Sequence, residues 1–252
     1  MKLTPCLELF FTELPFADRI AAVADCGYNA AEFWGPGNKD IDAIAKAAEK
    51  NNVTITSFTS CIGNLTDPSK HDEVVANFPK DIEIAKRLNC KNVIALSGNF
   101  IPRVTRCQLS KNVIEGLKRV APIAEKAGIT IVLELLNSAV NHPNYYVDNS
   151  EDMAAILWGV DSPNVKGLYD IYHAGIMEGN VTEKILTNLD IIGQFHAAGI
   201  PGRHEMKNGE QNYPFLCRKI DEAGFKGYLG LEYSPLKPSR ESLIETREWL
   251  AY

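Results

Sequence analysis

Residues 126–135, KAGITIVLEL, contain the end of a helix, a short strand and an acidic residue in one continuous stretch. Gly128 is the residue type that most readily adopts the left-handed conformation at a helix C-terminus. The run from Thr130 to Leu135 is apolar and β-branched around Glu134, which is typical of a strand buried on both faces. A helix followed closely by such a strand predicts an α/β fold.

The same order recurs along the chain. Glycine also follows the helices that precede the predicted second and eighth strands, at Gly27 and Gly224. Apolar runs bounded by polar or glycine-containing segments predict eight strands, at residues 4–10, 30–34, 54–59, 92–96, 130–135, 165–170, 191–197 and 228–233. Helical patterns fill the intervals, so the chain consists of eight β/α units.

Eight β/α units with right-handed crossovers form either a closed barrel or an open, doubly wound sheet. An open sheet that binds a dinucleotide usually has a glycine-rich segment after its first strand, and residues 8–13, ELFFTE, contain no glycine. The barrel is therefore preferred. We predict an α/β fold with a single (β/α)₈ TIM barrel domain over residues 1–252.

Composition narrows the function classes. The chain has 252 residues, 45% of them hydrophobic, and a formal net charge of −6, which argues against a nucleic acid or an anionic membrane as partner and favours a small molecule. The six cysteines form no Cys-x-x-Cys pair and are expected to be reduced thiols. The N-terminal residues resemble a strand rather than a signal peptide, and no apolar run is long enough to span a membrane. A cytoplasmic protein is expected.

Four consecutive predicted strands end in a side chain that can bind a metal: Glu134, Asp170, His196 and Glu232. Each alone is as well explained by helix capping or surface pairing. In a barrel, however, the C-terminal ends of strands meet at one face, where several buried carboxylates need a counter-charge. Three carboxylates and an imidazole suit Mn²⁺ or Mg²⁺, and also Co²⁺, better than structural zinc. We predict a divalent-metal site.

Motifs over the second half of the chain resemble one family. Residues 169–173, YDIYH, followed by residues 177–179, MEG, are similar to the sixth-strand signature of the hydroxypyruvate isomerases. Residues 203–205, RHE, residues 209–213, GEQNY, and residues 230–235, GLEYSP, extend the resemblance. These isomerases belong to the xylose-isomerase-like TIM barrel superfamily, which also contains the ketose 3-epimerases.

The resemblance implies roles for individual residues. It makes Glu134, Asp170, His196 and Glu232 the metal ligands, the same four residues that the strand ends select. Because strands 5 and 8 lie apart on the ring of eight, Glu134 and Glu232 could flank a bound substrate, and we expect them to act as the paired acid and base of an enediolate proton transfer. The resemblance further implies that His173 and Arg203 contact substrate oxygens, and it allows a homo-oligomer.

Two residues at the end of the second strand are open to two interpretations. Trp34 is a candidate substrate-binding residue at the barrel rim, with ordinary core packing as the alternative. Glu32 either contacts the substrate or orients a group behind it.

The expected activity is the interconversion of a small hydroxy-keto acid and the corresponding hydroxy-aldehyde acid, of the hydroxypyruvate type. A ketose 3-epimerase or a 2-oxo-tetronate isomerase is the alternative, because hydroxypyruvate isomerases tend to have Gln at the position of His196, whereas the epimerases have His. An apurinic-site endonuclease of the same superfamily is a remote alternative. Such an enzyme needs many histidines and a basic rim, whereas this chain has five histidines and a net charge of −6. A barrel that only binds a ligand is a further alternative.

Overall fold

Strands and helices alternate along the chain in the computed structural model, which describes residues 1–251. Within that range the strands are β1 Lys2–Pro5, β2 Ala30–Phe33, β3 Thr54–Thr59, β4 Asn92–Ala95, β5 Thr130–Glu134, β6 Val165–Asp170, β7 Ile192–Ala197 and β8 Tyr228–Leu231. The helices are α1 Asp18–Asp25, α2 Ile41–Lys50, α3 His71–Arg87, α4 Arg106–Ala127, α5 Ser150–Val160, α6 Ile171–Met177, α7 Val181–Thr187, α8 Tyr213–Glu222 and α9 Ser239–Leu250.

Residues 1–251 form one 8-stranded sheet in the order β1-β8-β7-β6-β5-β4-β3-β2, and all neighbouring strands are parallel. The remaining gap between β1 and β2 is bridged where Cys6 pairs in parallel with Glu32. There the Leu7 amide donates a hydrogen bond to the Glu32 carbonyl at 2.8 Å. The sheet thus closes into the (β/α)₈ barrel that the sequence predicts.

Side-chain alternation along the strands separates the interior of the barrel from the layer beneath the helices. Ile94, Val132 and Leu168 pack together as a small cluster, distinct from the main core that contains Ile131 and Leu133. Because successive residues of a strand point to opposite faces, Glu134 faces the same side as Val132, and Asp170 the same side as Leu168. The predicted metal ligands of β5 and β6 therefore point into the mouth of the barrel.

The predicted strand limits are correct for β3 and β6 and wrong by a residue or more elsewhere. The largest error is the first strand, predicted over residues 4–10. It ends at Pro5, and after the bridge between Cys6 and Glu32 the chain turns, where the Leu9 amide donates to the Cys6 carbonyl at 3.0 Å. Phe11 has a positive φ of 53°, which is incompatible with a strand.

Smaller differences occur at other strand ends. Strands 2, 4 and 5 each stop one residue before the predicted end, and β7 begins one residue later, after a 3₁₀ turn over Leu189–Ile191. Strand 8 ends at Leu231 rather than Tyr233, because the Ser234 amide pairs with the loop carbonyl of Arg203 instead of a strand. Glu232 therefore lies directly after β8.

All six cysteines lie in the described part of the chain and are free thiols, with Cys61 and Cys107 exposed. Among residues 1–251, no helix has both the length and the apolar character that crossing a membrane requires.

Candidate metal and catalytic site

The four predicted ligands meet at the C-terminal end of the barrel. Glu134, Asp170, His196 and Glu232 are all buried, and one ligand atom from each lies within 4.8 Å of the others. Neighbouring strands carry them in register, since Asp170 pairs with His196 and His196 pairs with Gly230, two residues before Glu232. The structure thus brings together the full set that the sequence selects.

The imidazole of His196 lies at the centre of this cluster. Its Nδ1 atom is 3.2 Å from Glu134 Oε1 and 3.4 Å from Glu232 Oε2, and it lies 4.0 Å from Asp170 Oδ2. Burial disfavours the charged imidazole, but Glu32 and the carboxylates of the cluster outweigh that effect and raise the pKa of His196. A proton on His196 therefore balances part of the negative charge.

Two carboxylates of the cluster hold their protons more tightly than usual. Burial raises the pKa of Glu134 to about 7, although His196 counteracts it. Burial also raises the pKa of Asp170, to about 6, again against the influence of His196. Desolvated carboxylates of this kind gain most from a cation that replaces the lost hydration.

Glu232 behaves in the opposite way. Burial alone would raise its pKa, but His196 and the Arg203 guanidinium outweigh burial and lower it. Arg203 Nη2 donates to Glu232 Oε2 at 2.5 Å, and Trp34 Nε1 donates to Glu232 Oε1 at 2.6 Å. Two of the three predicted substrate contacts, Arg203 and Trp34, thus hold Glu232 in its ionised form, and Trp34 is 43% exposed at the rim.

A second polar layer lies beneath the cluster, inside the barrel. Glu32 Oε1 is 3.2 Å from His196 Nε2, on the side of the ring opposite to Nδ1. The other carboxylate oxygen of Glu32 accepts hydrogen bonds from Ser57 Oγ at 3.0 Å and from Gln194 Nε2 at 2.7 Å. Glu32 thus lies behind His196, on the side of the ring away from the cluster, and its Oε1 atom has no hydrogen-bond partner within residues 1–251.

The tight packing of this layer explains a glycine in β8. A Cβ atom added at Gly230 would lie 2.3 Å from Glu32 Oε1 and 2.4 Å from the Cδ2 atom of His196. Gly230 therefore leaves the space in which Glu32 and His196 meet. Ser57 and Gln194 were not among the predicted site residues. Gln194 lies two residues before His196, on the same face of the strand, and that spacing is the signal that could have identified it.

The ring of His173, predicted to contact substrate, is buried at the start of α6. Its Nδ1 atom accepts a hydrogen bond from Asn137 Nδ2 at 2.5 Å, so the proton of the neutral ring is on Nε2. That Nε2 atom is buried, has no hydrogen-bond partner within residues 1–251, and lies 3.6 Å from Asp170 Oδ2. Burial and Arg203 lower the pKa of His173, which keeps the ring neutral.

A cavity of about 310 Å³ opens above the cluster. Its walls include Trp34, Leu96, Leu136, His142 and Arg203, and its floor includes Glu134, His196 and Glu232. A volume near the lower end of the range for ligand pockets fits a small metabolite. His142 is a third residue of the site that sequence patterns did not identify, because it lies in an irregular loop without a strand-end position.

The sequence was also compared with known families and proteins. The profile described as xylose isomerase-like TIM barrel matches residues 20–252. The chain belongs to this family. It is 30% identical to the 2-oxo-tetronate isomerase of Pectobacterium atrosepticum, over 99% of this chain and 98% of that protein. It is 26% identical to the hydroxypyruvate isomerase of Escherichia coli K12, over 93% and 94% of the two chains.

Solved structures agree with this fold. A crystal structure described as an AP endonuclease, family 2, from Brucella melitensis has a TM-score of 0.92 and 27% identity, over 98% of both chains. The D-psicose 3-epimerase of Clostridium cellulolyticum has a TM-score of 0.84 at 17% identity, over 100% of this chain and 99% of that one, a likeness of fold alone. The family and the named relatives confirm the predicted resemblance and an enzyme of the isomerase and epimerase type.

Proposed function

We propose that this protein is a metal-dependent isomerase that interconverts a small 2-oxo acid bearing a neighbouring hydroxyl group and the isomer in which the carbonyl has moved to that carbon. The observation that carries the proposal is the buried cluster of Glu134, Asp170, His196 and Glu232 under a small cavity. Relatives named 2-oxo-tetronate isomerase and hydroxypyruvate isomerase support the choice of substrate class.

The donor set fits a divalent cation such as Mn²⁺ or Mg²⁺, and also Co²⁺. Three carboxylates supply hard oxygen ligands, and His196 offers Nδ1, which is buried, has no hydrogen-bond partner among the described residues, and points toward the carboxylates. Glu32 on the far side of the ring favours a proton on Nε2 and so leaves Nδ1 as the ligand atom. When bound, the cation supplies positive charge that stabilises an oxygen atom as it becomes negative.

The two glutamates then differ in a way that suits proton transfer. Arg203 and His196 keep Glu232 ionised, so Glu232 removes the proton from the C–H bond beside the carbonyl. The electron pair of that bond moves toward the carbonyl oxygen and gives an enediolate. Glu134, whose pKa burial raises to about 7, returns a proton to the adjacent carbon. The hydroxyl proton passes to the former carbonyl oxygen. Glu232 is then protonated and Glu134 ionised, and loss of one proton to solvent and gain of another restore both carboxyl groups, so atoms and charge balance.

Arg203 and His173 would bind the remaining oxygens of the substrate. Both reach the cluster, Arg203 through Glu232 and His173 beside Asp170. The hydrogen bond from the indole N–H of Trp34 to Glu232 places the ring beside this carboxylate. From that position at the rim, Trp34 would shield the reacting atoms from water. We also propose one barrel domain that acts in the cytoplasm, without nucleic acid or membrane as partner.

An epimerase would use the same two glutamates but return the proton to the carbon from which it came, on the opposite face. A nuclease is a second candidate because of the name attached to the Brucella melitensis structure. The net charge of −6 and the carboxylate-rich cluster favour a small substrate over DNA.

The test is turnover on a panel of substrates with added Mn²⁺ or Mg²⁺: hydroxypyruvate, 2-oxo-tetronates, ketohexoses and duplex DNA containing an apurinic site. Isomer formation from a 2-oxo acid, abolished by a chelator and restored by the metal, is the expected result. Turnover of ketohexoses alone would favour the epimerase, and cleavage of the DNA alone would favour the nuclease.

A further inference from the structure

The loop between β5 and α5 places a second imidazole beside the cavity. His142 lines the cavity together with Glu134, Arg203 and Glu232. Its ring meets that of His173 edge to face, with ring centroids 5.2 Å apart. The Nε2 atom of His142 is buried and has no hydrogen-bond partner within residues 1–251. Buried imidazole nitrogens are normally hydrogen bonded, so this atom is suited to bind an oxygen of a ligand.

The loop that carries His142 is held firmly in place. The side-chain oxygen of Asn137 accepts hydrogen bonds from the backbone amides of Val140 at 3.0 Å and Asn141 at 2.8 Å. The amide of His142 donates to the Asn137 carbonyl at 3.1 Å. Tyr172 also donates to the Asn141 side chain at 2.8 Å. A preorganised imidazole loses little entropy on binding, which makes it effective in discriminating between ligands.

Counting substrate oxygens shows what His142 would bind. Under the proposed function, the carbonyl and the adjacent hydroxyl of hydroxypyruvate would face the cluster, and Arg203 and His173 would bind its carboxylate oxygens. His142 then has no oxygen to bind. A 2-oxo-tetronate, which has four carbons, has one more hydroxyl group than hydroxypyruvate. This hydroxyl can donate a hydrogen bond to a neutral imidazole or accept one from it.

We propose that His142 is a specificity-determining residue that binds this additional hydroxyl and favours four-carbon over three-carbon substrates. The proposal rests on the proposed function, because it assumes that a 2-oxo acid occupies the cavity. A hydrogen bond to a substrate hydroxyl discriminates strongly, since the shorter analogue leaves the buried partner unpaired.

The first test compares kcat/KM for a 2-oxo-tetronate and for hydroxypyruvate in the wild type and in His142→Leu. We expect the wild type to prefer the four-carbon substrate. In the variant, kcat/KM for the four-carbon substrate should fall by at least about tenfold, which is the effect of losing one hydrogen bond. Its kcat/KM for hydroxypyruvate should change by less than about threefold. His142→Gln, whose side-chain amide reaches a similar position, should restore part of the loss.

Val140→Ala is the matched control, because Val140 belongs to the same loop but is 63% exposed. It should leave the ratio of the two kcat/KM values unchanged. An equal loss of His142→Leu on both substrates would overturn the proposal and indicate a structural role. No loss on either, or a wild type that prefers hydroxypyruvate, would overturn it as well.

A binding measurement separates this proposal from the proposed function. Threonate and glycerate are four- and three-carbon hydroxy acids without the carbonyl, so neither can be isomerised. Calorimetry of the metal-loaded protein should show tighter binding of threonate, a preference that His142→Leu removes. If the wild type isomerises no 2-oxo acid, the proposed function fails. The role of His142 is then tested by binding alone. If the wild type does not bind threonate more tightly than glycerate, or if His142→Leu keeps that preference, the role is refuted.

Discussion

Replacing Glu32 by Gln tests whether the layer beneath the cluster controls the metal site. Glu32 accepts from Ser57 and Gln194 through one oxygen and lies 3.2 Å from His196 Nε2 through the other. An amide keeps the shape but has only one acceptor oxygen. If its oxygen faces Ser57 and Gln194, its NH₂ group faces His196, and the proton of the neutral imidazole must move to Nδ1. If its oxygen faces His196, its NH₂ group meets the amide of Gln194.

Either arrangement weakens the binding of a metal ion by His196. A hydrogen bond to a charged group contributes about 1.5–3 kcal/mol, which corresponds to a loss of roughly 10- to 100-fold in affinity for Mn²⁺. Changes to groups behind a metal ligand have effects of the same size. Calorimetric titration with Mn²⁺ gives the affinity, and ¹⁵N NMR of the histidine rings shows which nitrogen of His196 carries the proton in the metal-free protein.

Glu178→Gln is the matched control for this experiment. Glu178 is a partly buried carboxylate that pairs with Tyr169 and Lys184 and has no contact with His196. Its replacement should lower the free energy of unfolding and leave Mn²⁺ affinity unchanged. If Glu32→Gln binds Mn²⁺ within about twofold of the wild type and keeps the proton of His196 on Nε2, the positioning role of Glu32 is refuted.

Further predictions concern the cluster itself. Asp170→Ala and His196→Ala should each weaken Mn²⁺ binding by at least about tenfold in the same titration, and unchanged affinity in both would contradict their role as ligands. Glu134→Gln and Glu232→Gln each keep one ligand oxygen but lose the basic carboxylate, so turnover at saturating metal should fall by roughly 10²- to 10⁴-fold; wild-type rates in both would contradict the proton-transfer mechanism. Burial raises the pKa of Glu134 to about 7, and the surrounding carboxylates outweigh burial and raise the pKa of His196, so both groups must lose protons to bind metal. Affinity for Mn²⁺ should therefore fall as the pH is lowered from about 8 to about 6, with proton release in the calorimeter, and a pH-independent affinity would contradict this assignment.

The cluster of candidate metal ligands could be predicted from the sequence because its position depends on local rules. Each of Glu134, Asp170 and His196 is near the end of an apolar strand, and strand alternation fixes the face on which its side chain lies. Parallel strands in a barrel bring those C-terminal ends together at one face, independently of how the helices pack. Glu232 also lies in the cluster, although β8 ends one residue before it.

Other features depend on contacts that sequence patterns do not contain. The end of β1 at Pro5 depends on the turn that follows and on the bridge between Cys6 and Glu32, far apart in sequence. The position of His142 depends on how Asn137 folds its loop and on the packing against His173. Long-range packing decides such positions, so neither could be derived from periodicity.

Hydrogen exchange at carbon tests the central claim most directly. The protein is incubated in D₂O with a 2-oxo acid and Mn²⁺ or Mg²⁺, and proton NMR follows the signals of the substrate and its isomer. The paramagnetic Mn²⁺ is removed before each spectrum. The metal-loaded protein should incorporate solvent deuterium at the carbon beside the carbonyl while the isomer accumulates, and both should stop when a chelator removes the metal. Isomer formation that continues without metal, or complete absence of exchange and product across the panel of 2-oxo acids, would contradict the account.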